Sequence, residues 1–136
     1  MATLEDCRRI ASTFPEVAEQ VDGHRGGAVW RTKHGLILWE RGPSKTDIAQ
    51  LAELGRTYPE GLVVAIRAEG EAKEALLSAY PDVFFTIPHF DGYPAVLARL
   101  EALDIGMLAE LFAEAWLSRV SKRVGEQWLE ENGLGA

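Results

Sequence analysis

The stretch Ala28-Val29-Trp30-Arg31-Thr32-Lys33-His34-Gly35-Leu36-Ile37-Leu38-Trp39 reads as two β-rich runs joined by a two-residue link, His34-Gly35. A link of that type signals a hairpin, because glycine tolerates the positive φ that a tight turn needs. Alternation along the first run places Ala28, Trp30 and Thr32 on one face of the sheet. Val29, Arg31 and Lys33 then occupy the other face.

Upstream of the hairpin, Thr3-Leu4-Glu5-Asp6 is a helix start, with Thr3 as N-cap and acids in the first turn. Leu4, Cys7, Ile10, Ala11 and Phe14 recur at helical spacing until Pro15 stops the run. A short strand around Glu19 to Val21 and a loop from Gly23 to Gly27 follow. Downstream, Gly42-Pro43-Ser44 breaks the sheet. Thr46 to Leu54 then fits a short helix with Ile48, Leu51, Ala52 and Leu54 as its apolar residues and Gly55 as its cap. Leu62 to Arg67 is a compact apolar strand, Glu71 to Ala79 a helix opened by Gly70, and Val83 to Ile87 a further strand. The aromatic, turn-rich segment Pro88 to Pro94 separates it from a strand over Ala95 to Leu100. Asp104 caps the last helix, whose apolar face is Ile105, Leu108, Leu111, Phe112, Ala115 and Trp116. That helix is expected to run past Lys122 and break near Gly125, leaving a C-terminal tail over about 125–136. The alternation of elements predicts a single α+β domain over residues 1–136, a two-layer sandwich of mostly antiparallel sheet packed by helices.

Composition narrows the classes of function. With 47% hydrophobic residues in 136, the chain has enough apolar side chains for one core and is not disordered. No apolar run approaches the roughly 20 residues needed to span a bilayer, and Met1 leads straight into a helix start. A cytoplasmic location without membrane attachment is the expectation. The single cysteine, Cys7, sits on the apolar stripe of the first helix, which favours a core residue over a nucleophile.

His24, His34 and His89 are isolated on loops and turns, so no metal site is expected. His89, flanked by Asp91 in the aromatic segment, would be a general base if it paired with Asp91, but a lone histidine in a loop is more often a hydrogen-bonded turn residue. There is no G-x-S-x-G elbow. Gly23-His24-Arg25-Gly26-Gly27 lacks the spacing of a phosphate loop. The chain is therefore read as a non-enzyme without a cofactor.

The 14 Lys and Arg against 21 Asp and Glu give a net charge of −7, which repels polyphosphate unless the cations are segregated. They are. Arg25, Arg31, Lys33, Arg41 and Lys45 face one acid, Glu40, between His24 and Lys45; Arg119, Lys122 and Arg123 form a second group. Trp30 and Trp39 interleave with Arg31, Lys33 and Arg41 on the hairpin, a pattern that serves either base stacking beside cations or a packed core.

The run Pro81-Asp82-Val83-Phe84-Phe85-Thr86-Ile87-Pro88-His89-Phe90-Asp91-Gly92-Tyr93-Pro94-Ala95-Val96-Leu97 resembles the D-x-F-F-x-x-P-H-[FY]-x-G-[YF]-[PA]-x-V-L pattern of the MmcQ/YjbR family of small bacterial proteins. Glu114-Ala115-Trp116 with Ser121-Lys122-Arg123 is similar to the family's A-W…K-R helix. Thr3 to Ala11 with Phe14-Pro15-Glu16-Val17 is similar to its opening helix and L-P-G-V segment. Two departures stand out: Glu16 replaces the family's usual glycine, and the segment Gly42 to Gly61 is longer than in compact members. The resemblance implies an α-β-β-β-α-β-β-α order like that of secretion-chaperone domains. It also implies DNA binding, with Arg31, Lys33, His34 and Arg41 of the hairpin and Lys122 and Arg123 of the last helix as candidate contacts. The alternative is a binding module for a protein or small-molecule ligand at the Pro88–Pro94 loop, with His89, Tyr93, Trp30 and Trp39 as candidate residues.

Overall fold

The computed structural model describes residues 1–21 and 26–134; the glycine-bearing loop with His24 and Arg25 lies largely outside the described residues. Helix α1 (Leu4–Ala11) starts at a reciprocal capping box. Asp6 N–H donates to the Thr3 hydroxyl at 3.2 Å, and Thr3 N–H donates to the Asp6 carboxylate at 2.9 Å. Strands β1 (Ala18–Gln20), β2 (Val29–Thr32) and β3 (Gly35–Glu40) follow, then helix α2 (Lys45–Glu53), strand β4 (Val63–Arg67) and helix α3 (Gly70–Ala79). Strand β5 (Phe84–Phe85), a 3₁₀ turn over Pro88–Phe90, strand β6 (Ala95–Arg99) and helices α4 (Ile105–Leu117) and α5 (Lys122–Glu131) complete the chain.

The strands form one antiparallel sheet in the order β1-β2-β3-β4-β6-β5. This is the α+β class expected. The implied α-β-β-β-α-β-β-α order is expanded by one helix and one strand between β3 and β5, where α2, β4 and α3 stand, and by α5 after α4. Trp30, Leu38, Val64, Ile66, Val96 and Ala98 bury one face of the sheet against α1 and α4. The opposite face carries Val29, Trp39, Val63, Ala65, Ala95 and Leu97, covered by Leu51 of α2 and by Ile87 and Phe90. Only Leu51 of the expected apolar residues of α2 is buried; Ile48 and Leu54 point to solvent, because α2 presents a narrow stripe to a sheet face that the 3₁₀ turn already shares.

The hairpin differs from its sequence reading in one consequential way. Thr32 pairs with Gly35, so the turn residues are Lys33 and His34, and the positive φ of 144° falls on Gly35 at the start of β3. Trp30 pairs with Leu38 but Arg31 with Leu36, which leaves Ile37 as an extra residue in β3. A bulge of this kind resets the alternation. Leu36 consequently faces the same side as Trp39, and Arg31 opposite it does too, whereas strict alternation puts Leu36 with Leu38.

The C-terminal part is also corrected. The break falls at Ser118–Ser121, where Ser118 Oγ donates to the Ala115 carbonyl and Ser121 Oγ accepts from Val124 N–H. Most of the supposed tail is helix α5, held to the domain by Trp128. Its ring lies 5.1 Å from Phe14 and 5.4 Å from Trp116, and Trp116 Nε1 donates to the Pro15 carbonyl at 2.8 Å. Aromatic clustering of this kind adds to simple area burial. Among the described residues no helix is long and apolar enough to cross a membrane.

Glu16 is the one non-glycine residue with positive φ among the described residues, at 64°. It stands where the resembled family usually has glycine, and a side chain in that conformation is strained. Glu16→Gly is expected to raise the unfolding free energy by about 1 kcal/mol, read from urea denaturation at unchanged m-value; a loss of stability would contradict the strain at this turn.

Candidate functional site

The turn of the β2–β3 hairpin docks on the end of α4 through a single residue. Arg119 Nε donates to the Leu36 carbonyl at 3.1 Å, and its Nη1 donates to the His34 carbonyl at 3.4 Å. The Thr32 hydroxyl donates back to the Arg119 carbonyl. Gly35 leaves room for this contact: a Cβ there would stand 2.6 Å from Arg119 Cζ. Arg119 thus ties Arg31, Lys33 and His34 on the hairpin to the link preceding Lys122 and Arg123 in the first turn of α5. The two basic segments, remote in sequence, are connected through this one contact. Lys33, His34, Lys122 and Arg123 are exposed and Arg31 is half-buried.

The charge of this corner is only partly balanced. Burial, together with the neighbouring Arg67 and Arg31, disfavours the charged form of Arg119. Arg67, at the end of β4, pairs with Glu69, while its Nε is buried without a hydrogen-bond partner among the described residues. Lys122 has only a long, exposed approach to Glu126 at 3.8 Å. Arg119 and Arg67 were outside the candidate set drawn from sequence; the signal for Arg119 was its place in the C-terminal cation group.

Arg41 does not belong to this corner. Its side chain is 7% exposed, pairs with Asp47 at 2.9 Å, and lies 5.4 Å from the Phe90 ring centroid. The Tyr58 hydroxyl donates to its carbonyl, and burial pushes the Tyr58 phenol up to about 12. Burial alone would raise the Asp47 carboxyl, but Ser44 N–H and the Arg41 guanidinium hold it below the ordinary carboxylate range. Arg41 therefore ties α2 to the underside of the sheet and is not a surface phosphate contact.

Trp30 and Trp39 point to opposite faces. Trp30 is fully buried on the α1–α4 side, with Nε1 donating to Glu19 at 3.2 Å. That position removes it from the ligand candidates. Trp39, His89 and Tyr93 do come together, with Leu36, Arg41 and Phe90, around a cleft of about 240 Å³. The Tyr93 ring stands edge-on to Trp39, with centroids 6.5 Å apart and planes at 82°. The Pro88–Pro94 loop owes its shape to Lys73 of α3, a residue with no obvious signal in sequence. Its buried ammonium donates to the carbonyls of Phe90 and Tyr93, both at 2.8 Å.

His89 is exposed, and no hydrogen bond joins it to Asp91 among the described residues. Cys7 is buried, and burial pushes its thiol up to about 12, far from a reactive thiolate. Among the described residues no three His, Cys, Asp or Glu side chains group as metal ligands.

No family model matches the chain. It is 40% identical over 134 residues to Uncharacterized protein Rv2570 of Mycobacterium tuberculosis and to Uncharacterized protein Mb2600 of Mycobacterium bovis. Those alignments cover 98% of this chain and 100% of each relative. The chain belongs to the family of these mycobacterial proteins. Protein DR2400 of Deinococcus radiodurans, of family-model domain DUF419, has a crystal structure similar to this one. The TM-score is 0.65 at 20% identity, over 98% of this chain and 90% of that one. This likeness is one of fold.

Lys73→Met keeps the apolar stem but removes the ammonium from two carbonyls, leaving the Phe90 carbonyl with Tyr93 N–H and the Tyr93 carbonyl with Ala95 N–H as their remaining donors. It is expected to cost about 1–2 kcal/mol and to speed amide exchange over 91–93 ahead of β4 and β6; unchanged protection there would remove Lys73 as the loop's anchor. Asp47→Asn breaks a buried ion pair and is expected to cost about 3 kcal/mol at neutral pH. Because the folded carboxyl titrates below its unfolded value of about 4, this contribution is full above that pH and disappears as pH falls through the folded value. The urea stabilities of wild type and variant should therefore converge below about pH 4; a constant difference would contradict the pairing.

Proposed function

We propose that the chain is a non-catalytic DNA-binding module of the MmcQ/YjbR type, contacting phosphates through the corner built from the β2–β3 hairpin and the start of α5. The family reading is supported by the fold shared with a DUF419 domain, DUF419 being the YjbR/MmcQ-like family. The observation that carries the function is the docking of Arg119 on the carbonyls of His34 and Leu36. It joins the hairpin that carries Arg31 and Lys33 to the link that leads into Lys122 and Arg123, which supports reading these four cations as one footprint on a chain whose net charge is −7. Segregation on that scale is what an acidic protein needs to hold a polyphosphate at short range, although long-range steering stays weak. The α5 start contributes its cations as side chains, since positive charge opposes the helix dipole at an N-terminus. A second reading, a binding module for a protein or small ligand at the Pro88–Pro94 loop, is favoured by the cleft of Leu36, Trp39, His89 and Tyr93.

The test is fluorescence anisotropy of labelled DNA at roughly 50 and 200 mM salt. With about four phosphate contacts, affinity is expected to fall roughly 10²-fold between the two conditions. The double variant Arg31→Glu, Lys33→Glu should weaken binding on every sequence tested and reduce the salt slope by about 2. Affinity unchanged by that double reversal would remove the corner as the binding surface.

A further inference from the structure

We propose that the cleft beside the basic corner takes a single unstacked nucleotide, its base against Tyr93 and its phosphate on Arg31 and Arg119. The cleft and the corner are contiguous through two residues. Leu36 lines the cleft with its side chain while its carbonyl accepts from Arg119 Nε at 3.1 Å. Tyr93 lines the cleft and also lies within electrostatic reach of the Arg119 guanidinium. Arg31 stands directly across the ladder from Leu36; alternation with Val29 already puts Arg31 on the Trp39 face, and the bulge at Ile37 turns Leu36 to the same side.

Size and chemistry select the ligand class. A cleft of about 240 Å³ is smaller than the roughly 300–1,000 Å³ of sites for drug-sized molecules, so it takes one small planar group. Tyr93 is 42% exposed and is braced edge-on by Trp39 and by Phe90, whose ring centroid is 5.3 Å away. Its exposed part offers aromatic surface for stacking, and the exposed His89 also lines the cleft. Arg41 in the floor is already paired with Asp47, so the negative charge of the ligand is directed outward to Arg31 and Arg119. An aromatic face with guanidinium groups beside it is the arrangement that holds unpaired bases, whatever their identity. The placement of the phosphate rests on the reading of the corner as a phosphate-binding surface. The nucleoside phosphate can belong to a single strand or be free in solution.

The experiment compares wild type, Tyr93→Ala and Tyr93→Phe in binding to single-stranded oligothymidylate, to a duplex and to thymidine monophosphate, with tryptophan fluorescence as the readout for the mononucleotide. Tyr93→Ala is expected to weaken single-strand binding at least about fivefold with duplex binding unchanged, and Tyr93→Phe to restore it. His89→Ala gives a second, smaller loss at the same cleft should Tyr93→Ala fail to fold. Equal single-strand affinity in all variants overturns the cleft while leaving the basic corner standing. Mononucleotide binding that is lost in Tyr93→Ala, with no DNA binding at all, upholds the cleft and fails the DNA reading. Absence of binding to all three ligands overturns both.

Discussion

The guanidinium of Arg119 on the carbonyls of His34 and Leu36 is the contact on which the surface of this protein depends. A hairpin tip is usually the least constrained part of a sheet, and a helix end carries unpaired carbonyls of its own. Here each satisfies the other. The helix end supplies donors to the turn, and its Arg119 carbonyl accepts from the Thr32 hydroxyl. Gly35 is obligatory in this contact, both for its φ of 144° and because any β-carbon would displace the guanidinium.

The same contact explains why the unbalanced charge is tolerable. Arg67 disfavours the charge on Arg119, yet Arg119 is held by two carbonyls and Arg67 is paired with Glu69. Such a cluster is a cost in the free protein that an anion would relieve. By contrast, Arg41 shows what a neutralised arginine looks like in this fold: buried, paired with Asp47, and used to fasten α2 beneath the sheet.

Much of the architecture was legible in the sequence because its signals are local. The Thr3 cap, the apolar stripe of α1, the alternation around Trp30 and the face of α4 each depend on near neighbours, and all appear where the periodicity placed them. Ile105, at the first position of α4, is the exception on that face, since it precedes the turn that meets the sheet. What was not legible depends on long-range contact. The bulge at Ile37 leaves no mark in composition, yet it decides that Leu36 and Trp39 share a cleft. The end of α4 at Leu117 was hidden by continued helical periodicity, and the packing of Trp128 on Phe14 and Trp116 gives α5 its separate course. For the site, residue type alone could not separate Arg31 from Arg41, or Trp39 from Trp30, because each pair differs only in the face it occupies.

The central claim is that the hairpin tip and the start of α5 act as one surface. Amide chemical-shift mapping of the full chain during titration with DNA at low salt tests it most directly. The account predicts a single contiguous set of shifts over residues 31–36, Arg67 and 119–123, with α1 and α2 silent. Shifts confined to α1 or α2, or none at protein concentrations that saturate a weak phosphate site, would contradict it.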